Sequence, residues 1–407
     1  MNPLKRLASQ TAIYGLSSIV GRFLNYLLVP LFTYSFTPAE YGVVSEFYAY
    51  MGFFSVALLF GVETGYFRFR GQDAATPQVV YATALRFVLL ANAVFVAAVW
   101  LGQSFIAQGT HNTAHPQLIL WTAAILALDS IGAVAFARLR AEERALRFAG
   151  IKIIEIGVNV GLNLFFIVWC RDAAQTVPGS MLAQLWVPAL GVGYIFLANL
   201  AASAVKLVLL LPQLRGIVAG FDAALLRRLL RYSLPMVVIG MAGIVNEMLD
   251  RALMKYLLPY DQETNLALLG IYSACYKLSI LMSLFIQAFR YAAEPFFFAY
   301  AGARDAPQTY ARVLNVFVAF CVFVFLLVTM YLEWFQYFVG APYRVGLDVG
   351  TASVGLAAVS LDDHNEPGEL IWHLVRIFDE PLEKGQGGLV SKKAGRRKAR
   401  LQRRQID

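Results

Sequence analysis

Ionisable side chains interrupt the apolar runs of this 407-residue chain, and they are the groups best placed to do chemistry. Arg22, Arg86, Lys152, Lys277, Glu46, Glu63, Glu155, Glu247, Asp250 and Arg251 all fall within or at the edges of such runs. A charged group at a bilayer centre costs at least about 2.5–3.5 kcal/mol, so it turns to a wet cavity or to a partner. Two readings stay open at this level. Arg22, Lys152 and Lys277 could pair with Glu46, Glu155 and Glu247 as structural ion pairs. Alternatively, Arg22 and Asp250-Arg251 look into a cleft whose cationic character suits a phosphate or diphosphate, which guanidinium binds bidentately.

The elements that carry these groups are membrane helices. With 59% hydrophobic and 15% charged residues, the chain holds more apolar surface than a soluble core can hide. A mean hydropathy of +0.60 agrees. Nine apolar segments approach the length that crosses a bilayer. They are Thr11–Phe36, Val43–Gly61, Val80–Ile106, Leu118–Ala137, Gly150–Trp169, Leu185–Leu211, Leu234–Leu249, Leu266–Phe289 and Val313–Tyr331. The expected fold is therefore all-α and polytopic. The first run is too long for a cleavable signal peptide and contains Arg22 and Asn25. The cysteines Cys170, Cys275 and Cys321 lie in apolar runs and suggest neither a disulfide framework nor a metal site.

Basic residues alternate between connections. With a cytoplasmic N-terminus, the inside loops hold Lys5, Arg6, Arg68, Arg70, Arg138, Arg140, Arg144, Arg147, Arg215, Arg227, Arg228, Arg231, Arg290, Arg304 and Arg312. The outside loops hold Arg171, with Glu40, Asp261 and Glu263. This asymmetry follows the positive-inside rule and favours topology over a nucleic-acid surface as the source of the +8 net charge. The chain also repeats itself. Gly15, Leu24 and Leu28 recur as Gly240, Leu249 and Leu253, and Gly42, Ser45 and Tyr48 as Gly270, Ser273 and Tyr276. An even number of spans separates the copies, which predicts two parallel lobes, a common plan for alternating-access carriers. The expected division is a six-span lobe over 1–220 and a three-span lobe over 221–342.

Several stretches carry a family resemblance. Leu7–Gly15, Asn25–Pro30, Pro38–Val43, Tyr272–Ile280 and Gln287–Phe297 resemble bacterial polysaccharide biosynthesis proteins, oligosaccharide flippases of the MATE-like multidrug/oligosaccharidyl-lipid/polysaccharide exporter superfamily. The resemblance covers about 1–342. It implies a cofactor-free flippase of the bacterial inner membrane, moving a lipid-diphosphate-linked oligosaccharide, with Arg22, Arg251, Lys277 and Arg86 on its headgroup. That family generally has twelve to fourteen spans, so the resemblance implies an incomplete second lobe. A drug or cation antiporter of the same superfamily would need an acidic cleft.

Beyond Pro342 the composition changes. Tyr343–Gly355 reads as a strand, a glycine turn and a second strand, with Asp348 and Gly350-Thr351 in the pattern of a ribonuclease-H-like fold. Arg396, Arg397, Arg400, Arg403 and Arg404 follow at spacings that put guanidiniums on one helical face, suited to a phosphate backbone. The order resembles the opening of a type II CRISPR-associated RNA-guided DNA endonuclease. That implies a RuvC-like segment over 343–383, with Asp348 as catalytic carboxylate and Mg²⁺ ligand, and an RNA-binding bridge helix over 384–407. The other carboxylates of such an enzyme are missing from this segment, so cleavage is not expected, Mg²⁺ would bind only a complete fold, and the partners reduce to lipid bilayer, lipid-linked glycan and weakly held nucleic acid. The chain reads as a chimera joined at Tyr343–Leu347, where both families agree, with its tail outside the cell.

Overall fold

The computed structural model describes residues 19–70, 76–300, 306–331, 334, 338, 343–349, 353–361, 367–377, 382–385 and 388–391. The chain forms two compact units, Met1–Cys321 and Val322–Asp407. The change of composition at 342 lies inside the second.

The first unit is helical. Helix α1 covers residues 19–26, breaks at Leu27, and continues as α2 (Leu28–Ser35). Thr37 opens α3 (Pro38–Leu59) with a capping box: its hydroxyl accepts from Glu40 N–H, and its own N–H donates to the Glu40 carboxylate at 2.8 Å. Pro38 at the first helical position loses no bond there. Phe60 and Gly61 both adopt left-handed conformations, which ends α3 and starts α4 (Val62–Phe69). Helices α5 (Pro77–Leu101) and α6 (Gln103–Gly109) precede α7 (Pro116–Ala141) and α8 (Ala145–Leu164). A π-turn at Phe165–Cys170 leads into α9 (Arg171–Thr176) and α10 (Met181–Gln184). Then come α11 (Gly193–Leu214), a 3₁₀ turn Arg215–Ala219, α12 (Ala223–Leu257) and α13 (Gln262–Tyr300), and α14 (Ala306–Met330) begins in the first unit and ends in the second.

Seven helical segments among the described residues are long and apolar enough to cross a membrane: Pro38–Phe69, Pro77–Leu101, Pro116–Ala141, Ala145–Thr176, Gly193–Ala219, Ala223–Leu257 and Pro307–Met330. The first apolar run lies partly outside the described residues. Most boundaries shift from the sequence reading by several residues, the eighth expected run is not among the seven, and the sixth and seventh spans change for clear reasons. The sixth span starts at Gly193 rather than Leu185, because Pro188 and a left-handed Gly191 interrupt the run. The seventh is 35 residues long. Asp222 caps it by accepting from Ala224 and Leu225 N–H, and its acidic and basic residues had hidden its length from a hydropathy reading.

Lipid tails are as apolar as leucine, so packing between these helices rests on close contact of small residues more than on hydrophobic burial. Helices α3 and α13 pack extensively, and glycines set their separation. A Cβ on Gly42 would overlap the Leu266 carbonyl, and one on Gly270 would overlap the Pro38 carbonyl. The contact is reciprocal: the shift that carries Gly42 onto Gly270 also carries Pro38 onto Leu266. Elsewhere α4, α5, α7 and the start of α12 meet around Tyr66, Tyr81, Leu85, Val134, Leu225 and Leu229.

The second unit contains an antiparallel sheet of β1 (Tyr343–Val349), β2 (Ser353–Leu361) and β3 (Pro367–Ile377), in that order. A separate hairpin pairs β4 (Leu382–Gly385) with β5 (Gly388–Ser391). Asp348 stands opposite Gly355 on the β1–β2 ladder. Arg396, Arg397, Arg400, Arg403 and Arg404 lie outside the described residues.

Candidate functional site: a cationic cavity between helices

A polar cavity in the first unit has a volume of about 340 Å³ and is bounded by α1, α2, α3, α8, α11, α12 and α13. Ser45 and Tyr48 of α3 and Ser273 and Lys277 of α13 face it. The repeat-related glycines sit one turn nearer the N-termini of the same two helices. This shared level means that α3 and α13 run parallel. Asn25, Asn159, Asn163 and Asn199 supply amides, and Arg251 and Lys277 the charge. Among the described residues, no acidic side chain lines this cavity.

Arg251 is 7% exposed, and its guanidinium lies 4.1 Å over the Tyr276 ring. One terminal nitrogen, Nη1, reaches the Met248 sulfur at 3.0 Å. The remaining Nε and Nη2 are buried without a hydrogen-bond partner. Buried guanidinium N–H groups with no acceptor are costly. Ser273 Oγ and Asn163 Oδ1, which line the same cavity, are also buried and unpaired. The amides form a partial chain: Asn159 donates to Asn25 at 3.1 Å, Asn163 donates to Asn159, and Asn199 donates to the Tyr48 hydroxyl at 3.0 Å.

A second cavity of about 270 Å³ adjoins the first and shares Asn25, Asn159 and Asn199 with it. Arg22 lines this second cavity, together with Lys152 and Glu155. Glu155 bonds Lys152 at 2.9 Å and Lys206 at 2.6 Å, and Lys206 also bonds Asp129 at 2.6 Å. The structure thus brings Arg251 and Lys277 to one cavity and Arg22 to its neighbour. Arg86, half-buried on α5, lines neither.

Of the ion pairs first considered, Lys152–Glu155 forms, whereas the partner of Glu46 differs. Glu46 pairs with Lys255 of α12, not with Arg22 or Lys277, because Lys255 projects from the end of α12 nearest the α3 N-terminus. Both side chains are sealed, at 0% and 2% exposure. Lys255 Nζ also donates to the Thr110 carbonyl at 2.7 Å and to Asn112 at 3.3 Å, while Glu46 accepts from Tyr50 at 2.7 Å. Glu63 pairs with Arg140. Sequence reasoning missed Lys255, Lys206, Asp129 and the asparagines. The signal for the last was present: Asn159 and Asn163 are four apart on α8, a polar stripe on an apolar helix.

Among the described residues, no group of three or more His, Cys, Asp or Glu could hold a metal ion.

No family model matches the sequence, and no curated protein matches it significantly. Solved structures do. The chain is similar to a structure of MATE in complex with MaD3S, with 15% identity and a TM-score of 0.54, covering 84% of this chain and 78% of that one. It is also similar to the MATE multidrug transporter DinF-BH in complex with R6G, with 16% identity and a TM-score of 0.54, covering 82% of this chain and 75% of that one. The class that fold and spans define is a multi-pass, membrane-embedded helical protein with a MATE-like fold.

Proposed function

We propose that the chain is a carrier for an amphipathic substrate with an anionic, phosphate-bearing headgroup, and that a lipid-diphosphate-linked oligosaccharide fits the site best. The observation behind this reading is the Arg251 guanidinium, buried at the cavity wall with two nitrogens unpaired and Lys277 beside it. A diphosphate supplies acceptors for both cations, and the asparagine amides offer donors and acceptors to sugar hydroxyls. Arg22 in the adjoining cavity extends the same surface. Arg86 is left to the protein's own electrostatics.

The fold serves drug antiport equally well, and DinF-BH was captured with R6G. The cavity's charge favours the anionic substrate here, since a cationic drug would meet Arg251 and Lys277 with no carboxylate on the wall. The reciprocal contact of Gly42 and Gly270 supports two parallel lobes related by an axis along the helices, with the cavity between them. The basic loops support a cytoplasmic N-terminus in a bacterial inner membrane. The C-terminal unit is catalytically silent in this reading. RuvC-like cleavage needs several carboxylates around its metals, and Asp348 supplies one.

The test is a reconstituted flipping assay in proteoliposomes with a lipid-diphosphate oligosaccharide. The expected result is flipping by the native chain and its loss in Arg251→Gln. Export of a cationic dye with no movement of the lipid-linked glycan would reverse the assignment in favour of drug antiport.

A further inference from the structure

A third, smaller pocket of about 170 Å³ lies away from the central cavity, where the ends of α4, α5, α7 and α11 meet the 3₁₀ turn Arg215–Ala219. Three arginines from three elements line it: Arg70 after α4, Arg138 near the end of α7, and Arg215 at the start of the turn. Arg138 is held in place. Its Nε donates to Glu142 at 2.7 Å, its Nη1 donates to the Gln213 carbonyl at 2.8 Å, and its guanidinium lies 4.8 Å over the Tyr81 ring. Glu142, also on the wall, thereby spends charge on Arg138 and on Arg144 at 3.2 Å. Arg70 and Arg215 form no ion pair among the described residues.

Two further observations mark the pocket as built. Tyr81 lines it and is 2% exposed, and its hydroxyl is buried beside the Arg138 guanidinium, a donor only, with its own hydrogen unused. Gly216 also lines it, and a Cβ there would overlap both Arg138 and the Tyr81 ring. The backbone is therefore drawn up against the guanidinium, which only glycine permits. The first turn of α5 adds the positive end of a 25-residue helix.

We infer that this pocket binds a phosphate group, carried by an anionic phospholipid headgroup or free in solution. Guanidiniums converging from separate elements match a tetrahedral oxyanion with several acceptor oxygens, and the Tyr81 hydroxyl supplies a neutral donor. The pocket lies among the basic loop residues, the side where anionic headgroups gather under the positive-inside rule. Arg215 and Gly216 belong to the connection from α11 to α12, so a bound phosphate ties that connection to α4, α5 and α7. The inference needs no assignment of the transported substrate.

The full chain, delipidated in detergent, is examined by native mass spectrometry with phosphatidylglycerol or phosphatidylcholine, and by thermal shift with inorganic phosphate. Retention of phosphatidylglycerol over phosphatidylcholine, undisturbed by inorganic phosphate, supports the lipid headgroup. Stabilisation by inorganic phosphate that also displaces phosphatidylglycerol supports a soluble phosphate. Arg70→Gln with Arg215→Gln lowers either signal about tenfold, and Tyr81→Phe lowers it less. Arg227→Gln, near the start of α12 and outside the pocket, leaves it unchanged. Equal retention of both lipids with no phosphate effect overturns the inference, as does equal behaviour of the Arg70/Arg215 and Arg227 variants.

Discussion

Arg251 and Lys255 stand one turn apart on α12, and both are buried, but they are treated in opposite ways. Lys255 has three donors, and both Glu46 oxygens, the Thr110 carbonyl and Asn112 surround them. Arg251 has five donors and leaves Nε and Nη2 idle against a cavity. Two like charges at this spacing repel, so the helix tolerates them only because one is fully neutralised by α3. The difference separates two uses of a buried cation. One with every donor engaged holds helices together, and one with donors to spare awaits a ligand.

The largest effect is expected from breaking the engaged pair. Lys255→Ala leaves Glu46 buried and uncompensated and should cost about 3–5 kcal/mol, read as a fall in the melting temperature of the detergent-solubilised chain. The paired change Glu46→Gln with Lys255→Met should recover much of that loss. A single variant that melts like the native chain would remove one side of the comparison.

Next comes the glycine crossing that brings α3 to α13. Gly42→Val forces a side chain into the Leu266 carbonyl, and Gly270→Val does the same at Pro38. Each should destabilise by about 1–3 kcal/mol or more. The reciprocal contact predicts similar losses for the two. A marked inequality would mean that only one half of the repeat sets the packing.

Arg251→Gln should behave differently from both. It removes a charge that pairs with no carboxylate, so stability should stay within about 1 kcal/mol of the native chain. Glycan flipping, in contrast, should fall at least about tenfold through loss of a charge-assisted contact. If Arg251→Gln unfolds the chain as Lys255→Ala does, the idle donors have a structural role and the distinction fails.

These residues also mark what the sequence could disclose. Apolar runs made the helices legible, and the spacing of Gly42, Ser45 and Tyr48 against their counterparts pointed to the helices that cross. Arg251 and Lys277 stood out as charges in apolar surroundings, and the structure places both on one wall. Lys255 escaped notice because the seventh run seemed to end at Leu249, and its partner lies on a helix far away in sequence. Lys206 was overlooked within α11 for a similar reason: its partners, Asp129 and Glu155, come from α7 and α8. Amides carry no charge to disrupt a hydropathy reading, so the asparagine tract passed unseen. Periodicity reports which face a residue occupies on its own helix, and partner choice between helices is decided by tertiary packing.

The smallest predicted effect tests how Lys255 is positioned. The connection after α12 is fixed by Asn265, whose amide donates to the Lys255 carbonyl and the Leu258 carbonyl at 3.0 Å each. Asp261 organises the same connection: its carboxylate accepts from the Thr264 hydroxyl at 2.6 Å and from the Thr264 N–H at 3.0 Å. The hydroxyl bond first, and the backbone bond second, hold the Asp261 carboxyl below the usual carboxylate range. A depressed value in the folded state stabilises the fold above the unfolded carboxyl's titration and loses that contribution as pH falls through the folded one. Asp261→Ala should therefore melt slightly below the native chain near neutral pH, and the two curves should converge on acidification from about pH 7 to about pH 3. Asp261 is exposed, so the gap should be much smaller than that caused by Lys255→Ala. A gap as wide as that of Lys255→Ala, persisting in acid, would mean that the connection rather than the Glu46 carboxylate holds Lys255 in place.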